Sequence, residues 1–76
     1  MVDKAFVMVN IEVGTEAEVA GQLKKMKGAT EVCFLYGNYD FLVRVEANSI
    51  EDVKNCVANI RRLENVKSTL TMTVVK

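Results

Sequence analysis

Six consecutive residues, Tyr36-Gly37-Asn38-Tyr39-Asp40-Phe41, gather two phenols, a carboxamide and a carboxylate around one glycine in a chain of 76 residues. A carboxylate accepts from an ammonium, and a glycine turn lets main-chain N–H groups approach an anion closely. The segment therefore has the chemistry to hold a small zwitterion, with Tyr36 and Tyr39 bounding the rest of the molecule. A plainer reading stays open beside it: a surface hairpin in which Asn38 or Asp40 hydrogen-bonds its own backbone. The later row Thr69, Thr71 and Thr73 has the same ambiguity, since it is either a half-exposed strand face or part of the lining of a polar site. Arg44 fits an ion pair better than a catalytic role, and Arg61-Arg62 fit the negative end of a helix dipole.

The remaining chemistry is sparse. There is no His, so the usual proton shuttle is missing, and neither the Cys nor the carboxylate spacing forms a metal-ligand set. Cys33 and Cys56 lie too far apart for a Cys-x-x-Cys motif and read as buried, reduced thiols. No catalytic residue, cofactor or metal is assigned. Ten Lys or Arg balance ten Asp or Glu, which denies the chain the basic patch that phosphate backbones require, so direct DNA binding is not expected. No apolar run is long enough to span a bilayer and no signal-peptide pattern is present, which makes the cytoplasm the expected compartment and a membrane an unexpected partner.

The elements that must position the turn follow from pattern. Ala5 to Ile11 is β-branched and aromatic and reads as a strand. Thr15, three residues before Glu18, has the form of a capping box, and Val19, Ala20, Leu23 and Met26 recur at helical spacing until Gly28 stops the helix. Glu31 to Tyr36 and Phe41 to Ala47 read as an antiparallel pair, with Gly37-Asn38 able to take the positive φ of a tight connection. Asn48-Ser49 before Asp52 is a second helix cap, and Ile50, Val53, Val57 and Ile60 carry the apolar stripe toward Arg61-Arg62-Leu63. Val66 to Val75 closes the chain as a strand.

The order is βαββαβ, and the segment from Leu23 to Ala29 echoes that from Ile60 to Val66. This is the ferredoxin-like α+β plan: one domain over residues 1–76, with a four-stranded antiparallel sheet and both helices on one face. The first strand is apolar on both sides, with Phe6 and Met8 on one and Val7, Val9 and Ile11 on the other. Whichever side lacks helices needs another cover, so self-association at least to a dimer is expected.

The run Leu35-Tyr36-Gly37-Asn38-Tyr39-Asp40-Phe41-Leu42-Val43, followed by Asn65-Val66-Lys67-Ser68-Thr69-Leu70-Thr71, resembles the effector domain of the Lrp/AsnC, or feast/famine, regulators. In that family a Thr-Gly-x-Tyr/Phe-Asp turn joins the second and third strands, and a Gly-Val-x-x-[Ser/Thr]-x-Thr segment opens the last. Gly37, Tyr39 and Asp40 match the turn; Val66, Thr69 and Thr71 match the later segment. Tyr36 stands where the family has Thr, which bears on ligand identity. Asn65 stands where it has Gly, and Asn tolerates a left-handed backbone.

The resemblance implies a stand-alone effector module without a helix-turn-helix domain. It also implies dimers formed through the sheets in the dimeric α/β-barrel manner, and assembly of dimers into rings. An amino acid effector would bind between dimers at Tyr36, Gly37, Asn38, Tyr39 and Asp40, with Ser68, Thr69 and Thr71 from another subunit. A full-length Lrp/AsnC regulator is a further possible partner. Two other classes stay open: a small dimeric α/β-barrel enzyme, for which only Tyr36, Tyr39, Asp40 and Arg44 are available, and a structural assembly unit without a ligand.

Overall fold

The structure, a computed structural model, describes residues 2–75. Strand β1 (Asp3–Ile11) leads into helix α1 (Glu16–Lys24), then β2 (Ala29–Phe34), β3 (Phe41–Ala47), helix α2 (Ile50–Arg61) and β4 (Val66–Thr73). All pairings are antiparallel, and the sheet order is β2-β3-β1-β4. The ferredoxin-like plan read from the sequence is the fold observed.

Period-two alternation decides the two faces. Ala5, Val7, Val9 and Ile11 of β1 are buried, as are Phe41, Val43 and Val45 of β3; across them lie Val19, Ala20 and Leu23 of α1 and Val53, Cys56 and Ile60 of α2. Fully burying a side chain such as Leu23 or Ile60 contributes roughly 1.5–3 kcal/mol, and no buried polar residue interrupts this core among the described residues. The other face carries no helix. Phe6 pairs with Arg44 and Met72, Met8 with Leu42 and Leu70, and Asn10 with Ser68, all on the uncovered side. Leu70 and Met72 are 46% and 45% exposed, so the sheet ends in an unfinished apolar surface.

The two helix-to-strand connections are built alike. Met26 N–H donates to Leu23 O (3.1 Å) and Ala29 N–H to Met26 O (3.2 Å); Leu63 N–H donates to Ile60 O (3.2 Å) and Val66 N–H to Leu63 O (3.1 Å). The sequence echo between the halves is thus a repeated backbone device. It breaks at one pair of equivalent positions. Gly28 has φ +97°, whereas no residue other than glycine has positive φ among the described residues, Asn65 included. The left-handed backbone expected at Asn65 is absent. Instead, Asn65 Nδ2 donates to Glu18 Oε2 (3.0 Å) and Asn65 O accepts from Glu12 N–H (2.9 Å), tying the start of β4 to α1 and the end of β1.

Other expectations shift in detail. Helix α2 is capped as read, with Asp52 N–H donating to Ser49 Oγ at 3.2 Å. Helix α1 is not: Thr15 Oγ1 donates to the Glu12 carbonyl at 2.6 Å and makes no cap bond, so the expected capping box does not form. The Glu18 carboxylate is engaged by Asn65 instead. The helix ends at Lys24, short of Gly28, and β2 begins at Ala29 and stops at Phe34, two residues earlier at each end than the pattern implied. The β2–β3 connection is six residues long rather than a tight turn. Cys56 is buried, but Cys33 is only half-buried because it sits on the uncovered face opposite Leu42.

Candidate functional site

The β2–β3 connection, residues 35–40, is pinned at its base. Leu35 N–H donates to Asp40 O (2.9 Å), and Asp40 N–H donates to Val9 O (2.9 Å). The Phe34 and Phe41 rings meet at 4.9 Å, tilted by 48°, where the connection leaves the sheet. The Asp40 carboxylate turns to the neighbouring strand, and its Oδ2 accepts from Ile11 N–H at 2.9 Å. Neither reading of the sequence anticipated this bond. Asp40 bonds backbone, but that of β1 rather than its own turn. Its second oxygen accepts no hydrogen bond among the described residues.

The rest of the loop projects outward. Tyr36, Gly37 and Asn38 are exposed and Tyr39 and Asp40 half-buried. Gly37 takes φ +117° with nothing within 4 Å of where a Cβ would stand, so the glycine is required by conformation and not by crowding. Asn38 keeps negative φ.

Val9 is paired with Phe41 on one side and Thr69 on the other. The turn and the start of β4 therefore lie at the same end of the sheet, two strands apart, or roughly 10 Å at the usual strand spacing. Ser68 faces the uncovered side, where its Oγ accepts from Asn10 Nδ2 at 3.2 Å. Thr69 and Thr71 register with Val9 and Val7 and so share the helix side. One subunit brings Asp40 and Ser68 to flanking positions about β1, while Ser68 is separated from Thr69 and Thr71 by the sheet itself.

Two kinds of residue escaped the sequence reading. Asn10 was hidden inside a strand, although a carboxamide interrupting Phe-Val-Met-Val-x-Ile was a visible signal. Arg61 and Lys67 join Val66, Ser68 and Thr69 in lining a depression of about 350 Å³. Arg61 thus borders this depression as well as the C-terminal end of α2.

Arg44 is occupied. Its guanidinium lies 3.8 Å from Glu31 and 3.5 Å from Glu46, and Glu46 also accepts from Thr30 Oγ1 at 3.0 Å. This is the ion pairing expected of it. Neither thiol is activated: desolvation, and after it the Glu31 carboxylate, pushes the Cys33 thiol above its ordinary value, and burial does the same to Cys56. Among the described residues no group of three His, Cys, Asp or Glu could hold a metal ion, and no helix is long and apolar enough to cross a membrane.

Residues 4–76 match the family model described as the Lrp/AsnC ligand binding domain. The chain belongs to the Lrp/AsnC ligand-binding-domain family. Over 72 residues it is 32% identical to the HTH-type transcriptional regulator FL11 of Pyrococcus furiosus, covering 95% of this chain and 48% of that protein. It is 40% identical over 58 residues to the homocitrate synthase of Sulfurisphaera tokodaii, covering 76% of this chain but 13% of the enzyme. The chain thus spans about half the length of the regulator and a small part of the synthase. Among solved structures, FFRP-DM1 superimposes with a TM-score of 0.90 at 30% identity over 96% of this chain and 99% of that one. A Neisseria meningitidis transcriptional regulator in complex with L-Met shares the fold, with a TM-score of 0.82 at 19% identity over 97% of this chain and 50% of that one.

Proposed function

We propose that this Lrp/AsnC module is a non-catalytic sensor of an amino acid. The effector sits at Tyr36, Gly37, Asn38, Tyr39 and Asp40 and is completed by Ser68, Thr69 and Thr71 of another subunit. The observation that carries the reading is the Asp40 carboxylate, fixed through Oδ2 to the Ile11 N–H with its other oxygen unspent beside an exposed glycine turn. A carboxylate held this way has already lost its rotational freedom and is pre-organised for an ammonium. Main-chain N–H groups at Gly37 and Asn38 answer the effector's carboxylate, and Arg61 and Lys67 beside Ser68 add positive charge from the facing subunit. The L-Met held by the Neisseria regulator supports an amino acid as the ligand class.

Dimers form through the uncovered sheet face, where Phe6, Met8, Leu42, Leu70 and Met72 lack a helix, and dimers assemble further into rings. The module acts on transcription in the cytoplasm through a full-length Lrp/AsnC regulator rather than by touching DNA, in keeping with its zero net charge. The homocitrate synthase match favours one second reading: an effector module that controls an enzyme in place of a promoter. For catalysis by the module itself, Arg44 is already paired with Glu31 and Glu46 and one Asp40 oxygen with the Ile11 N–H, which leaves two phenols and a single carboxylate oxygen.

The test is calorimetric titration of wild type and Asp40→Asn with the twenty amino acids. Asn retains an acceptor for Ile11 but removes the charge, so affinity for the best ligand should fall by at least about tenfold. Equal affinities, or no binding by wild type, would overturn the reading.

A further inference from the structure

A cavity lies at the opposite end of the sheet from the turn. It is a cleft of about 480 Å³ running between the α1–β2 connection and α2, with its outer end at Val2. It exists because α1 stops at Lys24, leaving the four residues before β2 to cross beside α2 without helical cover. At its floor Gly28 meets Cys56 so closely that a Cβ on Gly28 would stand 3.2 Å from the sulfur.

Apolar surface makes up most of its lining, with Val2, Ala47 and Cys56, and a set of polar side chains rims it, most of them uncommitted. Asp52, Asn55 and Asn59 recur at i, i+3 and i+7 on α2 and so form one stripe of the helix along the cleft. Asn48 and Lys27 stand on the connections around them. Among the described residues Lys27 and Asp52 have no ion-pair partner, and the side chains of Asn48 and Asn55 make no hydrogen bond; Asn59 Oδ1 accepts from Arg62 Nη1 at 3.2 Å. Glu46, which also lines the cleft, is already shared between Arg44 and Thr30. The unspent set is one cation, one anion, two whole carboxamides and the Nδ2 of a third.

We infer that this cleft is a second small-molecule site, within one subunit, for a zwitterion of zero net charge that carries a carboxamide. Lys27 takes its carboxylate and Asp52 its ammonium. The Asn48 and Asn55 amides each offer donors and an acceptor in the two-way pattern that a carboxamide returns, and Asn59 adds the donors of its Nδ2. Its volume is in the range of small-ligand pockets, roughly 300–1,000 Å³. A second negative charge would have no free cation to meet, so the acid analogue is discriminated against. The site stands apart from the turn and does not depend on the turn being occupied.

The experiment is amide-resolved NMR titration of the whole chain with L-glutamine, and separately with L-glutamate, to millimolar concentration. Shifts should concentrate in the segments Lys27 to Thr30 and Asn48 to Asn59, with glutamine binding at least about fivefold tighter than glutamate. Both Lys27 and Asn55 are exposed, so a Lys27→Ala, Asn55→Leu double variant should keep the native spectrum yet bind at least about tenfold more weakly. Asp40→Asn should leave these shifts unchanged, which separates this site from the turn. No shifts in the two segments, shifts confined to Tyr36–Asp40 and Ser68–Thr71, or full retention of binding by the double variant would overturn the inference.

Discussion

The Asp40 carboxylate accepts a hydrogen bond from the main-chain N–H of Ile11 at 2.9 Å, across a separation of 29 residues in sequence. It joins the β2–β3 connection to the end of β1 where the β1–β4 register shifts between Asn10 and Ile11. The β1–β3 ladder ends at Val9 and Phe41, so a side chain here does the work of a backbone carbonyl that β3 no longer supplies. Asp40→Ala leaves that half-buried N–H without its partner and should destabilise the fold by about 1–3 kcal/mol, while Asp40→Asn should lose less than half as much. Urea denaturation of the three proteins measures the difference, and equal midpoints for Ala and wild type would contradict the role.

The two helix N-termini should respond differently to the same substitution. Ser49→Ala removes a side-chain cap and should cost about 0.5–2 kcal/mol. Thr15→Ala removes only an exposed bond to the Glu12 carbonyl and should cost less, about 0.5 kcal/mol or below. Thermal unfolding of both variants checks the order.

That contrast also marks how far the sequence could be read. The Ser49 cap was legible because an extended residue before the helix and the Asp52 N–H are neighbours in the chain. Thr15 has the same local pattern, but the turn from Glu12 draws its hydroxyl backward, and Asn65, 47 residues away, takes the Glu18 carboxylate. Residue order and hydrophobic alternation were enough for the βαββαβ plan and for the two-sided β1. The Asp40–Ile11 bond, the Asn10–Ser68 pair and the cations beside Ser68 depend on which strands are adjacent, and periodicity carries no such information.

The repeated connections predict unequal costs at equivalent positions. Gly28→Ala forces a Cβ into the left-handed region and against the Cys56 sulfur, so it should destabilise by about 1–3 kcal/mol. Asn65→Gly gains nothing from glycine, since φ is already negative, and loses the bond to Glu18; a cost of about 1 kcal/mol is expected. Chemical denaturation of the two variants compares them directly.

If the uncovered face is the dimer interface proposed above, charge placed on it should abolish self-association without unfolding the chain. Leu70 and Met72 are about half exposed in the single subunit. Leu70→Glu with Met72→Glu should therefore leave secondary structure intact, while opposing like charges across a dimer interface cost several kcal/mol. Sedimentation of wild type as a dimer or larger and of the double variant as a monomer is the expected result. A variant that sediments like wild type would locate the interface elsewhere.

The thiols set an alkaline limit. Desolvation raises both, so each group binds its proton more tightly in the folded chain than in the unfolded one. Their contribution is complete below the ordinary thiol range and is lost as pH rises through the elevated folded values. Stability should decline on that alkaline side, and less steeply in Cys56→Ala after allowance for its smaller core. For Cys33, whose second cause is the Glu31 charge, Glu31→Gln should shift the alkylation profile toward lower pH. A profile unchanged by that substitution would leave desolvation as the sole cause.

The twin connections at Leu23–Ala29 and Ile60–Val66 have a geometric consequence. Exchanging the first βαβ half with the second turns the strand order β2-β3-β1-β4 into β4-β1-β3-β2, which is the same order read from the other edge. Strand order and connections are therefore related by a half-turn, although α2 is longer than α1 and β4 longer than β2. Orientation must be read from the places where the halves disagree. Gly28, which lets the cleft floor close on Cys56, and Asn65, which clasps Glu18, are such a place. A duplicated frame supplies the stability, and the few mismatches within it tell a ligand or a second copy which way round the molecule lies.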